Sequence, residues 1–204
     1  MLAGLDGASL QTLRQARERY FQSMSLCVGR PPEQRLLIDK NPSLQVFILA
    51  FVRFFPEARL IVALRDPRDV VLSCFMQPHW PINPASVNYL NLADAATAYC
   101  RTMDIWRTLH PMIKTPCLEV RYEDMVNDLE SVARKTLDFL GVPWDAKVLG
   151  FDEHARKKMV RSPSYADVTQ PVYKRAKGRW RNYQKYLEPH LDKLEPFVKA
   201  FGYE

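Results

Sequence analysis

Apolar and polar positions along the chain switch between two periods. Leu10, Leu13, Ala16, Tyr20 and Met24 recur at helical spacing behind Ser9, a residue suited to capping, and predict a first helix. The stretch "LLID" at 36 to 39 predicts a short strand. "NPSLQVFILAFVRFF" predicts a second helix, with Asn41 as cap, Pro42 in the first turn and Pro56 at the exit. "RLIVAL" is unbroken and apolar, the pattern of a parallel strand covered on both faces. Beyond it, "AATAYCRTMDIWRTLH" predicts a long amphipathic helix and "PCLEVRY" another strand. "LESVARKTLDFLGVP" predicts a helix closed by Gly141 and Pro143, and "LEPHLDKLEPFVKAFG" a last one. From Phe151 to Tyr183 the regular pattern fades while basic residues accumulate. Strands separated by helices predict an α/β layered fold, and with no repeat, low-complexity tract or linker in view the expectation is a single domain over residues 1–204.

Composition narrows this picture a little. With 204 residues, 47% hydrophobic and 25% charged, the chain can bury one sizeable core. A formal charge of +6 favours an anionic partner, which charge alone does not resolve into nucleic acid, phosphorylated small molecule or acidic surface. Cys27, Cys74, Cys100 and Cys117 lie far apart with no CxxC pair, and the four histidines are equally scattered, so reduced thiols and no metal site are expected. The N-terminus lacks a basic head followed by an apolar block, and "VFILAFVRFF" is short and broken by Arg53. These features predict a cytoplasmic chain without a membrane span.

The stretch "RLIVALRDPRDVVLSCF" holds the candidate chemistry. A strand ending near Arg65 and a helix starting with Asp66 as cap and Pro67 in its first turn place Arg65 at the carboxyl edge of the sheet, where open α/β folds bind ligands. Val70, Val71 and Cys74 are the expected buried stripe, which puts Asp69 and Ser73 on another face, one turn apart. Helical side chains lean toward the N-terminus, so the Ser73 hydroxyl is expected to point back at the hinge. A phosphate there would take charge-assisted bonds from Arg65 and a neutral one from Ser73. The competing arrangement pairs Arg65 with Asp69 and turns Ser73 onto a carbonyl one turn back, and the hinge alone leaves both open.

"LIDKNP", "FPEARLIVALRDPRDVVLSCF", "CLEVRYEDMVND" and "QPVYKRAKGRWRNY" occur in an order and spacing that resemble the sulfotransferase family, in particular bacterial sulfotransferase domains and protein-tyrosine sulfotransferases. The resemblance runs from about Leu36 to Glu204. It implies a three-layer α/β fold with a parallel sheet, of the P-loop nucleoside triphosphate hydrolase type. It also implies transfer of a sulfuryl group from 3'-phosphoadenosine 5'-phosphosulfate (PAPS) to a hydroxyl or amine acceptor, with no metal. An arginine and a serine eight positions apart hold the 3'-phosphate in the family, matching Arg65 and Ser73. The tyrosine that stacks near the adenine corresponds to Tyr122 in "RYED", whose simpler reading is a half-buried residue ending a strand. The lysine placed to stabilise charge on the leaving phosphate oxygen corresponds to Lys40.

The late basic loop of the family, which folds over the nucleotide, corresponds to "YKRAKGRWRNY", with Lys177, Gly178 and Arg179 as phosphate contacts. Its aromatics, Tyr173, Trp180 and Tyr183, also suit stacking on single-stranded nucleic acid, a partner the other motifs disfavour.

The family's opening strand and "PRSGTS"-type loop, which cradles the 5'-phosphosulfate, have no match in Met1 to Lys40, and "VGRPPEQR" is too poor in glycine and small hydroxyl residues. The expectation is therefore the C-terminal portion of a sulfotransferase domain, without activity as it stands. The alternative is a non-catalytic nucleotide-binding or basic interaction module derived from the same fold. A kinase or nucleoside triphosphatase is disfavoured because no GxxxxGK is present. The acceptor and the oligomeric state are not legible.

Overall fold

The computed structural model describes residues 7–29, 36–42, 44–77, 82, 84, 86–156 and 169–204. The chain forms two compact units, one of Met1–Arg59 with Asp104–Pro116, the other of Leu60–Met103 with Cys117–Glu204.

In the first unit, helix α1 spans Leu10–Val28. The Ser9 hydroxyl accepts the Thr12 N–H at its start, and Gly29 closes it in the left-handed conformation at φ 73°, so both ends are satisfied as the sequence demands. Helix α2 spans Ile48–Phe54 and follows a 3-10 turn at Leu44–Phe47. It thus starts later than the Asn41-capped helix expected from the sequence; the Asn41 carbonyl instead accepts the Leu44 N–H, closing a local turn. The expected strand at 36–39 is not formed: residues 36–42 have no helical or strand structure. Leu36 and Ile38 are exposed, and a run this short has nothing to hold it extended without a partner strand. Tyr20, Phe21, Phe51 and Phe55 make an aromatic cluster with ring centroids 4.8 to 5.7 Å apart. Arg17 lies over the Phe55 ring, donates to the otherwise orphaned Phe54 carbonyl at the end of α2 and pairs with Glu57.

The second unit is built on a parallel pair of strands, β1 (Leu60–Leu64) and β2 (Cys117–Arg121), in register from Leu60↔Cys117 to Leu64↔Arg121. Helix α3, Pro67–Met76, follows β1 directly. Helix α4, Leu92–Leu109, supplies its first part to this unit. Helices α5 (Tyr122–Asn127) and α6 (Leu129–Leu140) follow β2, and α6 ends at left-handed Gly141 as its sequence predicts. Helices α7 (Phe151–Arg156) and α8 (Gln184–Ala200) complete the described elements.

The core joins α3, α4 and α8. Val71 and Leu72 of α3 meet Ala95 and Ala96 of α4, Leu187 and Leu194 of α8, and Trp180. A second cluster places Leu64 against Phe197 and Phe201. The buried stripe of α3 differs from the expected one: Pro67, Asp69, Val71 and Leu72 are buried, while Val70 and Cys74 are only half-buried. Partners pack α3 from more than one side, so a single-stripe periodicity understates its burial. β1, expected to be covered on both faces, is covered on one. Leu60 and Leu64 are buried but Ile61 is 44% exposed, because the packed helices lie on the Leu64 side.

Leu194 is wholly buried, whereas Tyr186 on the same helix is 64% exposed. Leu194→Ala is expected to lower unfolding stability by about 3 kcal/mol and Tyr186→Ser by about 0.5 kcal/mol or less, read as shifts of the urea midpoint.

Candidate functional site

At the carboxyl end of β1 the chain turns within two residues from strand to helix. The Asp66 carboxylate accepts the Arg68 N–H at 2.9 Å, and Pro67 takes the first helical position, where a missing N–H costs nothing. The same carboxylate pairs with the Arg68 guanidinium at 2.7 Å, whose central carbon lies 4.1 Å from the centre of the Trp180 ring. Arg65, one residue before the cap, points into a cleft of about 220 Å³. Its Nη2 donates to the Ala176 carbonyl at 2.6 Å, and its guanidinium lies 4.6 Å from the Tyr122 ring. Its Nε is buried without a hydrogen-bond partner among the described residues.

Asp69 lies beneath Arg65, 1% exposed. Its two oxygens accept the backbone N–H groups of Gly178 and Trp180, each at 2.7 Å, while the Arg65 guanidinium stays 3.9 Å away. Burial pushes the Asp69 carboxyl above its usual range, outweighing the opposite pull of the Trp180 N–H, the Arg65 charge and the Gly178 N–H. Burial likewise raises the Cys74 thiol, against the Arg65 charge, so Cys74 is a poor nucleophile. Gly178 has φ 66°, which favours glycine where the chain reverses to bring two loop amides, its own and that of Trp180, onto one carboxylate.

Of the residues singled out from sequence, Arg65, Ser73, Tyr122 and Arg179 line this one cleft. Tyr122 is half-buried at the start of α5, directly after β2, which matches the strand-end reading, and its ring packs on the Arg65 guanidinium. Lys177 is exposed on the turn before the cleft, and the Gly178 N–H is engaged by Asp69. Lys40 belongs to the first unit, exposed beside Asp39, whose carboxylate accepts the Tyr20 hydroxyl at 2.9 Å. Trp180 is buried, so its ring is not offered to a nucleic acid base, whereas Tyr173 does line the cleft, with Arg175 4.3 Å from its ring. Arg65 and Asp69 do approach each other, but as a long pair, because each has a closer partner in the loop. Sequence reasoning missed Asp69 as an amide acceptor. Its spacing to Arg65 suggested only an ion pair, and nothing local announces partners in a loop 109 positions away. "VGRPPEQR", from residue 30 on, falls outside the described residues.

Among the described residues no helix is long and apolar enough to cross a membrane, and no cluster of His, Cys, Asp and Glu could hold a metal ion.

Residues 4–146 match the family model described as Sulfotransferase family. Protein-tyrosine sulfotransferase 1 of Danio rerio is 26% identical over 97% of the chain and 56% of its own length. An uncharacterized protein of Aquifex aeolicus is 24% identical over 92% of the chain and 24% of its own length. The chain thus spans about half or less of these relatives. The solved sulfotransferase domain from the curacin biosynthetic pathway superposes with a TM-score of 0.62 at 19% identity, over 92% of the chain and 68% of that domain, which establishes the likeness of fold.

Asp69→Asn keeps the shape but leaves the side chain with one acceptor oxygen, so an NH₂ group faces one of the two loop amides. A loss of about 2 kcal/mol in stability is expected, with faster tryptic cleavage at Lys174, Arg175 and Lys177. Urea unfolding and timed proteolysis check both.

Proposed function

The chain belongs to the sulfotransferase family, and on that premise we propose that the Arg65 cleft receives the adenosine 3'-phosphate end of PAPS in a protein that transfers the sulfuryl group to a hydroxyl or amine acceptor. The observation carrying this reading is the convergence of Arg65, Ser73, Tyr122 and Arg179 on one cleft at the carboxyl edge of a parallel sheet. A phosphate seated there meets a guanidinium already stiffened by Tyr122 and the Ala176 carbonyl, so little side-chain freedom is lost on binding. The buried Nε of Arg65 has no protein partner among the described residues and can turn to an added oxygen acceptor. Asp69, although anionic, has both oxygens committed to amides and lies beneath the guanidinium, which leaves Arg65 and Arg179 to set the charge an anion meets. At about 220 Å³ the cleft is smaller than the roughly 300 to 1,000 Å³ of common ligand pockets, which suits one end of the nucleotide.

In the transfer step the acceptor oxygen or nitrogen bonds to sulfur as the bond from sulfur to the 5'-phosphate oxygen breaks. The acceptor loses its proton, and adenosine 3',5'-bisphosphate departs. Lys40 is proposed as the ammonium that stabilises charge building on that leaving oxygen. We also propose a cytoplasmic site of action, which suits Cys27, Cys74, Cys100 and Cys117 standing as thiols rather than disulfides.

Adenosine 3',5'-bisphosphate is expected to bind the chain more tightly than adenosine 5'-monophosphate. Arg65→Ala should weaken only the former, by about 2 kcal/mol. Calorimetric titration decides, and equal affinities in the parent chain would remove the 3'-phosphate assignment. In the protein with its donor and acceptor, Lys40→Ala should lower kcat far more than it weakens bisphosphate binding. Steady-state kinetics beside a binding titration separate a transition-state role from a clamp.

A further inference from the structure

The hinge bearing Arg65 is held partly from outside its own element. Glu123, the neighbour of Tyr122, accepts the Asp66 backbone N–H on Oε1 at 3.1 Å and the Tyr203 hydroxyl on Oε2 at 2.9 Å. Both carboxylate oxygens are therefore engaged, and Glu123 ties the end of β2 to the end of β1 just beyond the last paired residues, Leu64 and Arg121. Tyr203 is fixed from behind. Its N–H donates to the Val198 carbonyl at 2.8 Å, its own carbonyl accepts from Arg68 at 2.6 Å, and Arg121 lies 4.9 Å from its ring. Burial and the Glu123 bond raise the Tyr203 hydroxyl above its ordinary value, so it remains a donor at neutral pH.

We infer that Tyr203 is a positioning residue for the nucleotide cleft: its hydroxyl pins the Glu123 carboxylate, which in turn sets the Arg65–Asp66 turn. The inference rests on the nucleotide reading above. A glutamate bound through one oxygen can still rotate about its terminal torsion, whereas two fixed donors leave it one orientation. The peptide so held is the one joining Arg65 to the helix cap, so its placement is passed to the guanidinium stacked on Tyr122. The main chain of Tyr203 keeps its bonds to Val198 and Arg68 whatever the ring carries. Tyr203→Phe thus removes the Glu123 contact while leaving the C-terminal turn docked.

The test titrates the parent chain, Tyr203→Phe, Arg65→Ala and the double variant with adenosine 3',5'-bisphosphate and adenosine 5'-monophosphate, and follows amide exchange at Asp66. Tyr203→Phe is expected to weaken bisphosphate binding about fivefold, to change monophosphate binding less than about twofold and to speed exchange at Asp66. In the Arg65→Ala background it should have no further effect, since the coupling runs through Arg65. Unchanged bisphosphate affinity in Tyr203→Phe overturns the inference. So does an equal loss for both nucleotides, the signature of general loosening. If the parent binds neither nucleotide, the reading of the cleft fails by itself. Exchange at Asp66 then decides whether Tyr203 holds the hinge, and unchanged protection overturns that too.

Discussion

The carboxylate of Asp69 is the constraint on which the rest of the site depends. A carboxylate taken out of water must recover its hydration in hydrogen bonds, and Asp69 recovers it from two amides of the basic loop. Because those amides belong to Gly178 and Trp180, meeting the demand also fixes where Trp180 enters the core and where the Ala176 carbonyl meets Arg65. The positive φ of Gly178, the burial of Trp180 beside Leu187 and Leu194, and the orientation of the cleft-lining arginine are thus consequences of one interaction. A cationic loop that would otherwise repel itself is docked by its backbone, which frees its charged side chains to face outward.

The parts of this arrangement legible in the sequence are those with local causes. Asp66 and Pro67 spell a helix start, "RLIVAL" and "CLEVR" spell strands, and Gly141 spells a helix end; each is formed. The eight-residue spacing from Arg65 to Ser73 follows from one strand-to-helix turn, and both residues do line the same cleft. The failures have non-local causes. "LLID" has strand character but no ladder to join, and the lateral packing of α3 buries Asp69, a residue that binary patterning assigns to solvent. The partnership of Glu123 with Asp66 and Tyr203 was invisible for the same reason: its members come from three separate stretches of chain.

Charge is distributed by the same logic. Arg17, Arg68 and Arg121 each serve the backbone, donating to the carbonyls of Phe54, Tyr203 and Phe201, and each also lies over an aromatic ring. Part of the positive charge counted from composition is therefore structural. Between Lys174 and Arg181 five further cations stand with no acid among them.

The strand pairing has a kinetic consequence. β1 and β2 can align only after some fifty intervening residues have been gathered, and the Asp69 bonds require closure across 109 positions, so no hairpin or single helix pair can nucleate the cleft. Loop-closure entropy rises only slowly with length, by about 0.6 kcal/mol per doubling, so the penalty falls mainly on the rate of assembly. Arg65, Tyr122 and the basic loop meet only once these distant closures are complete. An affinity for the nucleotide would thus be a late event in folding, and a nascent chain would acquire it only after α8 had left the ribosome.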